Sequence, residues 1–396
     1  MKKLNIKNYP MQWENIFDEV MDSYDKNGCM LVDHGYLQKM NEEYHIFTHR
    51  FTQVLCAAEK IRKNEPLARY LMLLNITIMN RSHMEGAFGM IELPEALERI
   101  DSIGYDLLAL FALLPTIPAS FESYRAHHVP EDVIENTIKE YENGIDDFER
   151  RFGKPGFNKA NLSWGYHIIN TDLLRIGRFN FEMNPSFAGR IKVFKNKQGD
   201  CKTLVNGLKL HRDGFALGIP GFQDERDSYY GNLIENEMYC EGYPVINEGR
   251  ASNVRIRLDK KEWMACLNYG DPVISIHIPT GESITPEICE NSLIKADTNI
   301  RRWYPEFNLK AYVCFSWMMD PQLSKMLKQE SNILAFQRRF TQFPTVSSGQ
   351  ATFKFVFLKQ YKNMEDLPEA TSLERVLKKH YLEGHYIYEP GGFFIV

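Results

Sequence analysis

The chain has 396 residues, 44% hydrophobic and 25% charged, with a formal net charge of −5 and a pI near 6.2. Those proportions suit two or three globular domains and exclude a global basic field that would gather nucleic acid. The seven cysteines, an odd number without a CxxC pair, argue against a zinc ribbon or a disulfide framework and fit a reducing cytoplasm; no stretch reads as a signal peptide or membrane span.

The first part of the chain reads as helical. Met11 to Tyr24 places Trp13, Ile16, Phe17 and Val20 on one stripe. Tyr36 to Lys63 is a long helical stretch with few breakers, and Leu67 to Met79 is another. Leu93 to Leu114 carries apolar residues at helical spacing up to Pro115 and Pro118. Pro130 opens a helix through Ile134, Ile138, Tyr141 and Ile145 to Arg151. Gly153-Lys154-Pro155-Gly156 reads as a linker, which gives a helical domain over 1–155 and a second domain over 156–396.

The texture then changes. Leu174 to Met183 alternates like a half-buried strand, with Arg178, Asn180 and Glu182 on its polar face. Gly189 to Phe194 and Lys202 to Leu210 look like strands, Gly214 to Arg250 like loop, and Val254 to Leu258 and Trp263 to Leu267 like short strands. Pro272 to Ile278 is a strong strand. A loop, Pro279-Thr280-Gly281-Glu282, leads to Thr285-Pro286-Glu287, a helix start with its cap, a proline at the first helical position and an acid at the positive end of the dipole. That helix runs to Arg302. Lys310 to Met318 reads as a strand, Asp320-Pro321 and Ser331-Asn332 as helix starts, the second running through Phe340. Thr352 to Leu358 reads as a strand, Ser372 to Leu382 as a helix and Tyr386 to Val396 as a hairpin around Gly391-Gly392.

The segments GDPVISIHIPTGESITPEICENSLIKA (270–296) and AYVCFSWMMDPQLSKMLKQESNILAFQRRFTQFPTVSSGQ (311–350) resemble a bacterial family of acyltransferase-domain proteins, in which a helical N-acyltransferase domain precedes a GNAT-like domain. LLRIGRFNFE (173–182) is similar to its first-strand signature and residues 371–396 to its ending. The resemblance implies an α+β chain: an all-helical N-terminal domain, then a GNAT-like mixed β-sheet flanked by helices. It also implies an acyl-CoA co-substrate and a small-molecule amine acceptor; composition, charge and cysteine usage set the expectation of a cytoplasmic location with neither nucleic acid, membrane nor metal as partner.

A GNAT enzyme needs backbone N–H groups at a helix N-terminus for the diphosphate, a splayed strand edge for the pantetheine arm, a base for the amine and an acid for the thiolate. The resemblance places the coenzyme turn at Ile278, Thr280, Gly281, Glu282 and Ser283, where the family's usual [RQ]xxGx[GA] form gives way to one glycine and one acid. His277, at the end of its strand, is a candidate base; the alternative is a core histidine bonded to a carbonyl. Glu182 is a second candidate base, with Arg178 and Asn180 as substrate contacts; the alternative is an ion pair on an exposed sheet face. Tyr312, Cys314, Ser316 and Met318 share one strand face and Val313, Phe315 and Trp317 the other, read as core. Ser316 is the candidate thiolate-side acid, Tyr312 a substrate contact, and Cys314 a weaker nucleophile candidate.

Other readings stand beside this one. His211, Asp213 and His277 follow the order of a two-His-one-carboxylate iron site, although the next arginine after His277 is Arg301. His45 and His49 would lie one turn apart on a helix without the glutamate of HExxH. HRDGF (211–215) lacks the asparagine of a kinase catalytic loop, and Gly214, Gly218 and Gly221 lack dinucleotide spacing. The GNAT-like domain as a non-catalytic ligand- or peptide-binding module is the main alternative.

Overall fold

The computed structural model describes residues 12–82, 107–219, 225–246 and 249–396. Most of the helix expected over Leu93 to Leu114 lies outside them, as do the basic start, Met1 to Asn8, and Gly221. The chain divides into two compact units, 1–176 and 177–396.

The first unit is helical: α1 (Gln12–Asn27), α2 (His34–Tyr44), α3 (Phe51–Arg62), α4 (Glu65–Ser82), α5 (Leu108–Leu113), α6 (Ile117–Ala126), α7 (Glu131–Ile138), α8 (Glu140–Phe152) and α9 (Lys159–Ile169), closed by β1 (Leu173–Ile176). The stripe on α1 buries Trp13 and Val20; the Trp13 indole N–H donates to the Thr77 hydroxyl, and its ring meets Tyr70 edge-on at 5.8 Å. The long helix expected from Tyr36 to Lys63 is two. His45 takes a left-handed conformation (φ 49°), and α3 begins six residues later. The break is held by Glu142, 4% exposed, whose Oε1 accepts the N–H groups of Thr48, His49 and Arg50 at 2.8, 2.8 and 2.9 Å. His45 and His49 therefore do not form a pair on one helix; His49 faces Asp146 at 3.1 Å instead. The first unit also runs past the 155/156 boundary read from the linker, because α9 follows that glycine-rich stretch and packs on α5, α6 and α8.

The second unit carries β2 (Phe179–Asn184), β3 (Ile191–Lys195), β4 (Cys201–Val205), β5 (Leu208–His211), β6 (Ser228–Gly231), β7 (Ile234–Glu235), β8 (Tyr239–Gly242), β9 (Ile256–Asp259), β10 (Met264–Leu267), β11 (Val273–His277), β12 (Ala311–Phe315), β13 (Thr341–Phe343) and β14 (Gly391–Ile395). Its helices are α10 (Pro286–Trp303), α11 (Leu323–Met326), α12 (Asn332–Gln337), α13 (Ala351–Phe355) and α14 (Ser372–Leu382). Strands β2, β11, β12, β14 and β13 lie side by side in that order. Only the β11–β12 pair among them is parallel. Between β2 and β11 the chain builds three small sheets, β10-β3-β4, β5-β6 and β7-β8-β9, so the stretch from Gly214 to Arg250 is not all loop.

Both faces of the main sheet are covered. Val273, Ala311, Val313, Phe343 and Phe393 pack with Phe187, Ile191, Val193 and Leu267 on one. Phe181 and Tyr312 meet at 6.3 Å on the other, where the Tyr312 hydroxyl reaches α10.

Four further expectations change. Leu174 to Met183 is two strands, broken at Gly177-Arg178: Gly177 has φ 59°, and a Cβ there would stand 2.5 Å from Ser292 Oγ. The strand expected from Lys310 to Met318 ends at Phe315, after which Trp317–Met319 forms a 3₁₀ turn. Thr352 to Leu358 opens as helix α13 rather than a strand, since the Glu389 carboxylate accepts the N–H groups of Gln350 and Ala351 at 3.1 and 2.9 Å. Gly391 and Gly392 sit within β14 and not in a hairpin turn; a Cβ on Gly391 would fall 2.1 Å from the Phe343 ring that crosses it.

Candidate functional site

Antiparallel register sets Glu182 opposite Ser275 and Asn180 opposite His277. Alternate residues share a face, so Glu182 and His277 are diagonal neighbours. His277 Nε2 lies 2.7 Å from Glu182 Oε2. The Glu182 side chain is 15% exposed and that of His277 38%, which puts the carboxylate behind and the imidazole toward solvent. Asn180 is buried beside them. With the proton on Nε2 the imidazole donates to the carboxylate and keeps the Nδ1 lone pair as an acceptor. An imidazole held in this way can serve as an oriented general base.

The pair stands at an opening in the sheet. The β11–β12 ladder ends at Ser275 opposite Val313. Each strand continues for two residues on its outer side, β11 against β2 to His277–Asn180 and β12 against β14 to Phe315–Gly391. Beyond Ser275 the two strands therefore leave each other's inner edges unpaired. Phe315, on the face that carries His277, is 45% exposed and not core as the sequence suggested. Its ring rests beside Phe343 at 5.9 Å and Phe187 at 6.4 Å, which makes it the open end of the apolar cluster under that face.

After His277 the chain enters the turn before α10. Thr280, Gly281, Glu282 and Ser283 are exposed, and Ile278 packs partly buried on the apolar cluster around Trp317 and Leu334. Thr285 caps α10, its hydroxyl accepting the Ile288 N–H at 3.4 Å, with Pro286 at the first helical position as read from the sequence. Arg178 is 6% exposed and reaches this turn from before β2; its Nε–H donates to the Glu282 carbonyl at 2.7 Å. From the other side Asn332 Nδ2 donates to Ser283 Oγ at 3.0 Å, and Arg339 donates to the Pro286 carbonyl at 3.1 Å and pairs with Glu290.

Three sequence candidates fall elsewhere. Tyr312 is 1% exposed on the face opposite His277, its hydroxyl donating to Asp297 at 3.3 Å, and burial pushes its pKa up; it has no path to a substrate at His277. Cys314 shares that face, is 2% exposed, and burial pushes its thiol up to about 12, which favours the protonated thiol over the thiolate at neutral pH. Ser316 lies past the strand's end, where its hydroxyl accepts the Met318 N–H at 3.2 Å and caps the 3₁₀ turn. His211 Nδ1 faces Asp213 at 2.9 Å while His277 is engaged by Glu182, so the three do not form a common ligand set. Among the described residues no group of three or more His, Cys, Asp or Glu side chains is placed to hold a metal ion. Sequence reasoning missed the contacts of Asn332 and Arg339 with the turn, both remote from it in sequence, and the role of Ser292 within α10.

Residues 173–394 match the model of the GNAT-like C-terminal domain, and residues 37–170 that of the N-acyltransferase N-terminal domain. A search of curated proteins returned no match. Among solved structures, an acyltransferase in complex with decanoyl-CoA and teicoplanin superposes with a TM-score of 0.63 at 17% identity, over 99% of this chain and 97% of that one. An acyltransferase mutant in complex with octanoyl-CoA superposes at 0.62, also at 17% identity, over 100% and 97%.

Proposed function

The chain belongs to the family of the GNAT-like C-terminal domain, and from that premise we propose that it is an acyl-CoA-dependent N-acyltransferase acting on a small-molecule amine. The single observation that carries the reading is the His277–Glu182 pair, 2.7 Å apart, at the mouth of the β11–β12 opening. The unpaired inner edges of the strands offer backbone donors and acceptors to a pantetheine arm. The turn before α10 offers N–H groups to the diphosphate. The relatives solved with decanoyl-CoA, octanoyl-CoA and teicoplanin support the same assignment of donor and acceptor kinds.

In this mechanism the amine nitrogen attacks the thioester carbonyl carbon as His277 Nδ1 takes the amine proton. Glu182 holds the ring and stabilises the imidazolium. The C–N bond forms and the C–S bond breaks, and the departing thiolate takes a proton from solvent. Phe315, exposed on the face that carries His277, fits the aliphatic part of an acyl group.

Calorimetric titration with acetyl-CoA, longer acyl-CoAs and free coenzyme A tests the reading. Micromolar binding, about −8 kcal/mol, is expected. No binding to any of them would overturn it and leave a GNAT-like binding module for another ligand. Among the described residues no helix is long and apolar enough to cross a membrane; a cytoplasmic location is part of the proposal.

A further inference from the structure

The coenzyme turn lacks the arginine or glutamine its family usually carries, and it brings Glu282 and Glu287 where an anion would bind. The structure places cations beneath and beside it instead. Arg178 comes from below, almost wholly buried, with its Nε–H on the Glu282 carbonyl at 2.7 Å. Its own backbone is fixed: the Arg178 N–H donates to Ser292 Oγ at 2.9 Å, and Ser292 donates to the Ile288 carbonyl at 2.8 Å within α10. Arg339 lies against the first turn of α10 from the side. Burial pushes the Cys289 thiol up, and the charges of Arg339 and Arg178 pull it the other way, so both guanidinium groups act on the start of α10.

The contact on Glu282 has a geometric consequence. In a trans peptide the carbonyl and the following N–H point in opposite directions, and the chain has no cis bond among the described residues. A Glu282 carbonyl drawn inward to Arg178 turns the Ser283 N–H outward. Among the described residues that N–H meets no acceptor. Asn332, bonded to Ser283 Oγ, holds the same residue from outside.

We infer that Arg178 is the positioning residue of the diphosphate site: by clamping the Glu282 carbonyl it aims the Ser283 N–H at the coenzyme and sets a buried positive charge under it. The inference rests on the coenzyme reading proposed for this site. It explains how a turn with one glycine and two acids nearby can take an anion: the orientation and the charge come from a residue about a hundred positions upstream, Arg178 to Glu282.

The test is an affinity split in the full-length protein. Wild type, Arg178→Lys and Arg178→Gln are titrated by calorimetry with coenzyme A and with S-decanoylpantetheine, which lacks the diphosphate. Arg178→Gln is expected to weaken coenzyme A about tenfold or more while S-decanoylpantetheine binds as in wild type; Arg178→Lys, which keeps a donor and a charge, recovers part of the loss. Equal loss of both ligands would show a merely structural role and overturn the inference, as would unchanged affinity for coenzyme A. Wild type that binds S-decanoylpantetheine and not coenzyme A would overturn it too. Wild type that binds neither would sink the acyltransferase reading itself.

Discussion

His277 and Glu182 come from strands separated by almost ninety residues and three small sheets, yet the register alone decides that they touch: with Glu182 opposite Ser275, the diagonal neighbour on the same face is His277. Removing the imidazole by His277→Ala is expected to lower the rate of coenzyme A release from an acyl-CoA and a responsive amine by about a hundredfold or more. Glu182→Gln keeps the shape and loses the charge that stabilises the imidazolium, so a smaller loss, on the order of tenfold, is expected. A Gln variant as impaired as the Ala variant would instead make Glu182 the base. A second residue works without touching the site. Asp320 is 0% exposed and accepts the N–H groups of Gln322 at 2.9 Å and Tyr388 at 2.6 Å, tying the 3₁₀ turn after β12 to the segment that leads into β14. Burial pushes its pKa up to about 7. The folded state thus holds the proton more tightly than the unfolded chain, whose Asp titrates near 4. The stability this adds is complete below about pH 4 and lost as the pH rises through about 7. Urea midpoints measured from pH 5 to pH 8 should fall, and Asp320→Asn, which cannot titrate, should flatten that slope while lowering stability overall.

At the scale of elements, what was legible followed periodicity and caps. The strand Val273–His277, the capped helix from Thr285 and the helix Ser372–Leu382 all carry their signals within a few residues of themselves. The errors share a cause: the deciding contact comes from far away. Glu389 caps α13 and so turns a β-like stretch, Thr352 to Leu358, into a helix; the Phe343 ring lies on Gly391 and makes strand of what reads as a turn. Phe315 alternates as a core residue should, and only the end of the β11–β12 ladder shows that it is open. The break before β2 is similarly tertiary. Gly177 holds φ 59°, and a Cβ added there would stand 2.5 Å from Ser292 Oγ. Gly177→Ala should therefore cost about 2–3 kcal/mol, from left-handed strain and the displaced serine together. Urea denaturation would measure it. Because Ser292 also fixes Arg178, the same variant should weaken coenzyme A; a stable Gly177→Ala protein with full affinity would contradict the rigid path from Gly177 to the turn.

At the scale of the whole molecule, every residue assigned here to the coenzyme and the proton, from Arg178 to Arg339, lies in the second unit, 177–396. The family resemblance was legible in the residues of that unit, whereas the braces of its coenzyme turn were not, because Asn332 and Arg339 approach Ser283 and Pro286 only through the folding of the chain after β12. Binding at such a site stabilises the unit that holds it by RT ln(1 + [L]/Kd), about 2.7 kcal/mol at a hundred times Kd. For a unit of this size each kcal/mol raises the melting midpoint by roughly 2–4 °C, so coenzyme A at that excess should shift the transition of the second unit by about 5–10 °C. His277→Ala should keep the full shift, since the imidazole is assigned to proton transfer and not to the diphosphate, and Arg178→Gln should lose much of it. Scanning calorimetry of the three proteins with and without coenzyme A therefore separates holding the coenzyme from reacting with it. A shift lost in His277→Ala and kept in Arg178→Gln would reverse the two assignments.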